Sequence, residues 1–375
     1  MKTLKLSKTF LIYYIVVISF VGLRIMSSLG VFSGIQDPYL KSTITTFLIQ
    51  ICVLFSLPLI LYKLFSKQKT KDIFKSFGYK KISFKVVFYT IILGVLAYIL
   101  NIVVASGFSA FLSLFGYEGI RGFAQSSSAV YDTFPKFLLG IVLVAVLPAI
   151  CEEFLHRGMI LRGTASKIGY KRAIIISSVL FGLMHLNIEQ VFYATILGLI
   201  MGVVSIATNS IWTSVIIHFI NNAINVYFSY AQTTGLPGGK LFDVLTILLQ
   251  KVSPLQAMIF VFVGLAVLLF AMIGIFMKLL KQTKYEEICS SYELINSELM
   301  HNQEEGKQYS RDDVDRAFAI YMEKKFRNVD SYQYLILPKQ EVDQKVLHSS
   351  ETVFLIGVVV LGVLITLSTF IWGIF

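Results

Sequence analysis

Apolar runs of about 20 residues, the length that carries a helix across ~30 Å of hydrocarbon, alternate with short polar breaks along most of this chain. They fall near 10–32, 44–65, 85–115, 135–157, 172–187, 189–208, 211–231, 254–280 and 352–374. Only a few polar residues around Asn187, Glu189 and Gln190 part the fifth run from the sixth. The pattern predicts an all-α, polytopic membrane bundle of about eight core transmembrane helices, with an extra one at the carboxyl end. The expected organisation is a membrane-embedded bundle over 1–280, a cytosolic helical insertion over 281–351 and a transmembrane helix over 352–375. Within the insertion, DDVDRAFAIYMEKKFRNV predicts a helix opened by Asp312 or Asp313 and closed by bases, as the helix dipole favours. The insertion is too small for an independent catalytic domain, and is expected to pack on the membrane core or bind a partner.

Composition agrees. The 375 residues are 56% hydrophobic with a mean hydropathy of +0.73 and only 15% charged, beyond what a soluble core of this length uses. The first run follows Lys2, Lys5 and Lys8 but is too long for a signal h-region and lacks a small-x-small cleavage site, so it reads as a retained anchor. Arg24, inside it, is expected to snorkel to the outer interface. Bases cluster at Lys63–Lys85 and at Arg157–Arg172, which places those loops and the amino terminus in the cytoplasm. The expected location is multi-pass in the plasma membrane of a bacterium. The net charge of +11 then serves topology and contact with anionic lipids, with no nucleic-acid partner. Cys52, Cys151 and Cys289 are too scattered for a disulfide framework or a thiolate zinc site.

Three polar groups within the apolar runs change the picture. In GIVLVAVLPAICEEFLHRG, Glu152 and Glu153 are adjacent, and carboxylates at membrane depth are expensive and mark function. On a helix Glu153 and Arg157 lie one turn apart and pair, while Glu152 points about a quarter-turn away, which leaves two acids with different jobs. Pro148 removes a helix hydrogen bond nearby. FGLMH carries His185 one turn from Phe181, and HFINN carries His218 one turn from Asn222. Counted from the cytoplasmic ends, Glu152 lies within roughly 10 Å of the inner edge, His218 about 10 Å deep and His185 about 20 Å deep, which permits convergence in an inner-half cavity. Phe181 reads as a packing wall, Gly198 and Gly202 as a helix-contact surface, and Asn221 and Asn225 as bridges between helices.

Two acids, an arginine, two histidines and an amide suit peptide-bond hydrolysis: a carboxylate with histidine help activates water, and imidazole and carboxamide donors stabilise the oxyanion. A zinc site on Glu152, His185 and His218 is the rival within that chemistry, although the helical HExxH signature is absent.

The ordered trio resembles the CPBP family, also called Abi, which includes the type II CAAX prenyl endopeptidases. EEFLHR matches its EExxxR motif, FGLMH its FxxxH and HFINN its HxxxN, and the likeness covers roughly Lys85 to Tyr230. The resemblance implies an eight-helix intramembrane protease with a cavity open to the cytosol and the adjacent bilayer. It implies that Glu152 is the general base, His185 its partner on water, His218 and Asn222 the oxyanion stabilisers, and Glu153 and Arg157 supports. The family has been described both as metalloproteases and as metal-free glutamate proteases. Asn222 and Arg157 suit the second, so no cofactor is expected, with zinc as the alternative. The expected substrate is a membrane-associated peptide or lipid-modified protein presented near the cytoplasmic leaflet. Competing classes are a catalytically silent scaffold or immunity protein, and a proton-coupled transporter, which predicts inverted repeats that the sequence does not show.

Overall fold

The computed structural model describes residues 4–118, 131–240, 253–303, 310–326, 347 and 349–374. Eleven helices and no strand occur among the described residues. They are α1 (Leu6–Ser28), α2 (Pro38–Ser66), α3 (Thr70–Ser76), α4 (Phe84–Ser113), α5 (Phe134–Ile168), α6 (Tyr170–Leu183), α7 (Ile188–Ala207), α8 (Trp212–Thr234), α9 (Pro254–Gln303), α10 (Arg311–Phe326) and α11 (Ser349–Ile374). Seven are long and apolar enough to cross a membrane: α1, α2, α4, α5, α7, α9 and α11. The chain is an integral, multi-pass membrane protein. Of the nine runs, the two that miss this standard are α6, with only 14 residues, and α8, whose face carries His218, Asn221, Asn222 and Asn225.

Two helices run further than their hydropathy. α5 continues past the expected end at Arg157 to Ile168, and α9 continues past Lys278 as one 50-residue helix to Gln303. Beyond the bilayer-length stretch, α9 turns polar, and Glu286 accepts a hydrogen bond from Ser83 at the start of α4. α10 folds back on it through the Tyr292 hydroxyl, which donates to Asp315 at 2.8 Å. Ser310, rather than Asp312 or Asp313, opens α10. Its backbone N–H and hydroxyl donate to Asp313, whose own N–H donates back to Ser310 Oγ. Residues 327–346 of the expected insertion lie outside the described residues.

The bundle has two chemically different ends. At one, Arg162 reaches Asn209 and the Ser205 carbonyl, Ser210 donates to the Lys80 carbonyl, and the basic stretches Lys63–Lys85 and Arg162–Arg172 gather. At the other, Thr233 donates to the Tyr131 carbonyl and the Ile188 N–H to Thr369 of α11. Between them, small residues allow the close approaches that bind helices where water supplies no driving force. A Cβ on Gly182 would meet Thr195 Oγ1 and, at 2.7 Å, the Val191 carbonyl; one on Gly198 would meet Ser178 and one on Gly202 would meet Ile174. The expected Gly198/Gly202 surface is thus the α6–α7 contact.

A buried ion cluster ties α5 to α8. Glu153 Oε1 lies 3.2 Å from Arg157 Nη1 and 3.1 Å from His218 Nδ1, and Glu153 and Arg157 are fully buried. Arg157 also donates to the Gly198 carbonyl of α7 at 3.2 Å and lies 4.5 Å from the centre of the Phe181 ring of α6. Breaking such a buried pair strands a charge, at a cost of about 3–5 kcal/mol. Glu153→Ala is therefore expected to lower the melting temperature of detergent-solubilised protein sharply. Gly182→Ala is expected to cost about 1–3 kcal/mol by overpacking against backbone. Gly22→Ala, with nothing within 4 Å, serves as the neutral control. Equal melting temperatures for all three would show that neither contact holds the bundle.

Candidate active site

α5 departs from ideal helix at two π-turns, Ile141–Val146 and Phe154–Leu161, and α2 at one, Leu48–Ser56. Two of these end just before a proline, Pro58 in α2 and Pro148 in α5, which cannot donate to the carbonyl four residues back. In α5 that carbonyl is Val144, and the Asn222 Nδ2 of α8 donates to it at 2.9 Å. The proline thus opens an acceptor on α5 that the HxxxN asparagine fills.

The opening contributes to a cavity of about 610 Å³ lined from α1, α2, α4, α5, α6, α7 and α8. Glu152, His185, His218 and Asn222 all line it, so the four expected site residues face one space. Glu152, partly buried, accepts a hydrogen bond from Gln50 Nε2 at 2.9 Å. Glu153 and Arg157 lie behind this wall as the paired support described above.

His185 is not on a helix face. α6 ends at Leu183 because Leu186 adopts a left-handed backbone (φ 53°) and Asn187 caps α7 by accepting from the Glu189 N–H. His185 sits in the intervening turn, its Nδ1 donating to the Phe181 carbonyl at 2.9 Å. The Phe181 ring meets the rings of His185, His218 and His156 edge-on, with centroids 5.1, 5.5 and 5.2 Å away. The packing wall is therefore a shared platform. His156 is fully buried, its Nδ1 donating to the Glu152 carbonyl at 2.8 Å and its Nε2 lying 3.1 Å from the Tyr13 hydroxyl.

Several lining groups escape a reading of sequence motifs. Gln50 is buried, with its Oε1 unpartnered, and Asn101 likewise leaves Oδ1 unpartnered. Asn101 donates to Asn221, Asn221 to Asn222, and Tyr98 to Asn225, so amides form one polar wall. The only advance signal was a single polar residue in an apolar run, and such a residue does not disclose which way it faces. Arg24 lines the same cavity, although still exposed, rather than only reaching an interface.

α5 runs 16 residues beyond Glu152 to Ile168, roughly 24 Å of rise, so Glu152 lies well inside the helix. On most helices the lining residues lie at the middle or toward the end away from the basic loops; His218, six residues from the start of α8, is the exception. His185 and Gln190 flank the α6–α7 turn at that far end, and Arg24 lies one turn from the end of α1. The cavity thus extends from the middle of the bundle toward the end away from the basic loops.

Among the described residues, no three His, Cys, Asp or Glu side chains stand close enough together to hold a metal ion. Glu152, His185 and His218 line one cavity without forming such a group.

Residues 134–224 match the family described as "Type II CAAX prenyl endopeptidase Rce1-like". Among curated proteins, the chain is 26% identical over 108 residues to "Putative membrane peptidase YdiL" of Bacillus subtilis (strain 168). That match covers 29% of this chain and 44% of the relative, less than half of its length. No solved structure matches the chain. The matched stretch is the one that carries Glu152, Glu153, Arg157, His185, His218 and Asn222, and over it, about a quarter of the chain, the sequence is similar to the Rce1-like CAAX prenyl endopeptidases.

Proposed function

We propose that this protein is an intramembrane endopeptidase that hydrolyses a peptide bond of a membrane-associated or lipid-linked peptide. The observation that carries the reading is the convergence of Glu152, His185, His218 and Asn222 on one cavity, next to a second carboxylate already committed to Arg157. Glu152, held by Gln50, takes a proton from water, which attacks the carbonyl carbon. His185 shares that water. With Nδ1 on the Phe181 carbonyl, its Nε2 is the nitrogen left for it. His218 has Nδ1 on Glu153, and its imidazolium form offers Nε2–H to the oxyanion. Asn222 spends one amide hydrogen on Val144 and keeps the other for the same task. Proton return to the leaving amine completes the cycle. No step is routed through a metal.

The spread of the lining residues supports a proposal for the side of entry. If the basic loops are cytoplasmic, as the positive-inside pattern argues, the cavity extends toward the extracytoplasmic side. We therefore replace the cytoplasmic-leaflet expectation with presentation from the outer side.

Wild-type protein incubated with a library of membrane-anchored peptides is expected to cleave a subset, as read by mass spectrometry, and Glu152→Ala to lose at least about a hundredfold, the scale of one acid–base group. Equal cleavage by both would end the base assignment, and stoichiometric metal bound through Glu152 in active protein would end the metal-free mechanism. For orientation, a membrane-impermeant maleimide added to intact cells is expected to label Gln190→Cys and spare Lys80→Cys, in a Cys52→Ser, Cys289→Ser background. The reverse pattern would return the cavity to the inner half.

A further inference from the structure

Arg24 is exposed, lies 18 residues into a mostly apolar helix whose other charge, Lys8, is near its start, and makes no side-chain hydrogen bond or ion pair among the described residues; Ser28 donates to its carbonyl. Two other arginines on the long helices are compensated among the described residues. Arg157 sits on Glu153 and the Gly198 carbonyl, and Arg162 on Asn209 and the Ser205 carbonyl. Snorkelling to headgroups satisfies many arginines near helix ends. Arg24 differs in that it lines the same cavity as Glu152, one turn along α1 from Phe20, which lines it too. The lining around it is neutral: Thr46, Tyr98, Gln190 and Asn225 offer amides and hydroxyls, and Glu152 is the one carboxylate, committed to Gln50. The cavity therefore has a carboxylate at its deep wall and an uncompensated guanidinium toward the end where His185 and Gln190 turn.

We infer that Arg24 is a substrate-recognition residue, whose guanidinium binds a carboxylate of the bound peptide while the bond to be cut lies at Glu152. A planar fork of N–H donors pairs with a carboxylate bidentately, and a partly desolvated site strengthens the pair. The carboxylate comes either from an Asp or Glu side chain or from a free C-terminus. The inference rests on the peptidase reading for the identity of the ligand, but binding tests it without turnover.

The full-length Glu152→Gln protein, reconstituted in phosphatidylcholine nanodiscs, is incubated with a photo-crosslinkable peptide library that contains acidic, amidated and neutral members. Acidic peptides are expected to be enriched about tenfold over their Asn, Gln or C-terminal amide counterparts, the worth of one charge-assisted pair. That enrichment disappears in Glu152→Gln/Arg24→Gln and turns toward Lys-containing peptides in Glu152→Gln/Arg24→Glu. This reversal is something a merely structural arginine would not produce. Loss of preference on side-chain replacement alone, or on C-terminal amidation alone, identifies the source of the carboxylate. No acid preference in Glu152→Gln, or an unchanged one in either double variant, overturns the inference. So does a preference abolished by phosphatidylglycerol nanodiscs, which assigns Arg24 to lipid phosphate. Failure of wild-type protein to cleave any peptide would instead strike the peptidase reading and leave the binding result standing on its own.

Discussion

A carboxylate and a guanidinium sealed away from both water and lipid at the centre of the bundle set the terms for everything around them. Glu153 and Arg157 share a helix one turn apart, so their pairing is built into α5. Neither is satisfied by the other alone. Glu153 draws His218 from α8, and Arg157 draws the Gly198 carbonyl from α7 and the Phe181 face from α6. A low-dielectric interior makes each unmade contact costly, and four helices are held where the charges need them. The glycine at 198 then has a second reason to be small: a Cβ there would lie 3.4 Å from Arg157 Nη2 as well as against Ser178.

The same arrangement separates the two acids. Consecutive residues on a helix point about 100° apart, so committing Glu153 to the interior turns Glu152 toward the cavity. One is consumed by structure, and the other keeps a single amide partner, Gln50. Irregular backbone helps. The π-turns ahead of Pro58 and Pro148 widen α2 and α5 where those two side chains meet, and the carbonyl that Pro148 leaves open is closed from α8 by Asn222. Asn222 consequently serves the fold and faces the cavity at once, so loss of activity on its removal would mix both roles. Glu152 offers the cleaner probe of chemistry.

Much of this was legible in the sequence, for reasons that also explain the rest. Hydropathy located the seven helices long and apolar enough to cross a membrane, because lipid-facing surface must be apolar along its length, as Phe262 and Phe270 of α9 illustrate. The same signal misjudged helix ends. It reports where lipid contact stops, whereas α5 and α9 continue as helices into polar surroundings. Motif spacing brought Glu152, His185, His218 and Asn222 together because three of them lie on helix faces and the fourth is anchored by its own helix end. Gln50, Asn101 and Arg24 carried no such spacing, and only the packing of α1, α2 and α4 around the cavity reveals where they face.

One feature of the histidines constrains any chemistry attempted here. His156, His185 and His218 all spend Nδ1 on an acceptor: the Glu152 carbonyl, the Phe181 carbonyl and the Glu153 carboxylate. A carbonyl oxygen only accepts, so Nδ1 carries a proton in His156 and His185, and Nε2 is the ring position left for another contact. In His156 that nitrogen is taken by Tyr13, which removes it from the reaction despite its proximity to Glu152. His185 and His218 keep theirs. They differ in what stands behind Nδ1, the neutral Phe181 carbonyl for one and the Glu153 carboxylate for the other, a difference that the acceptors impose before any substrate enters.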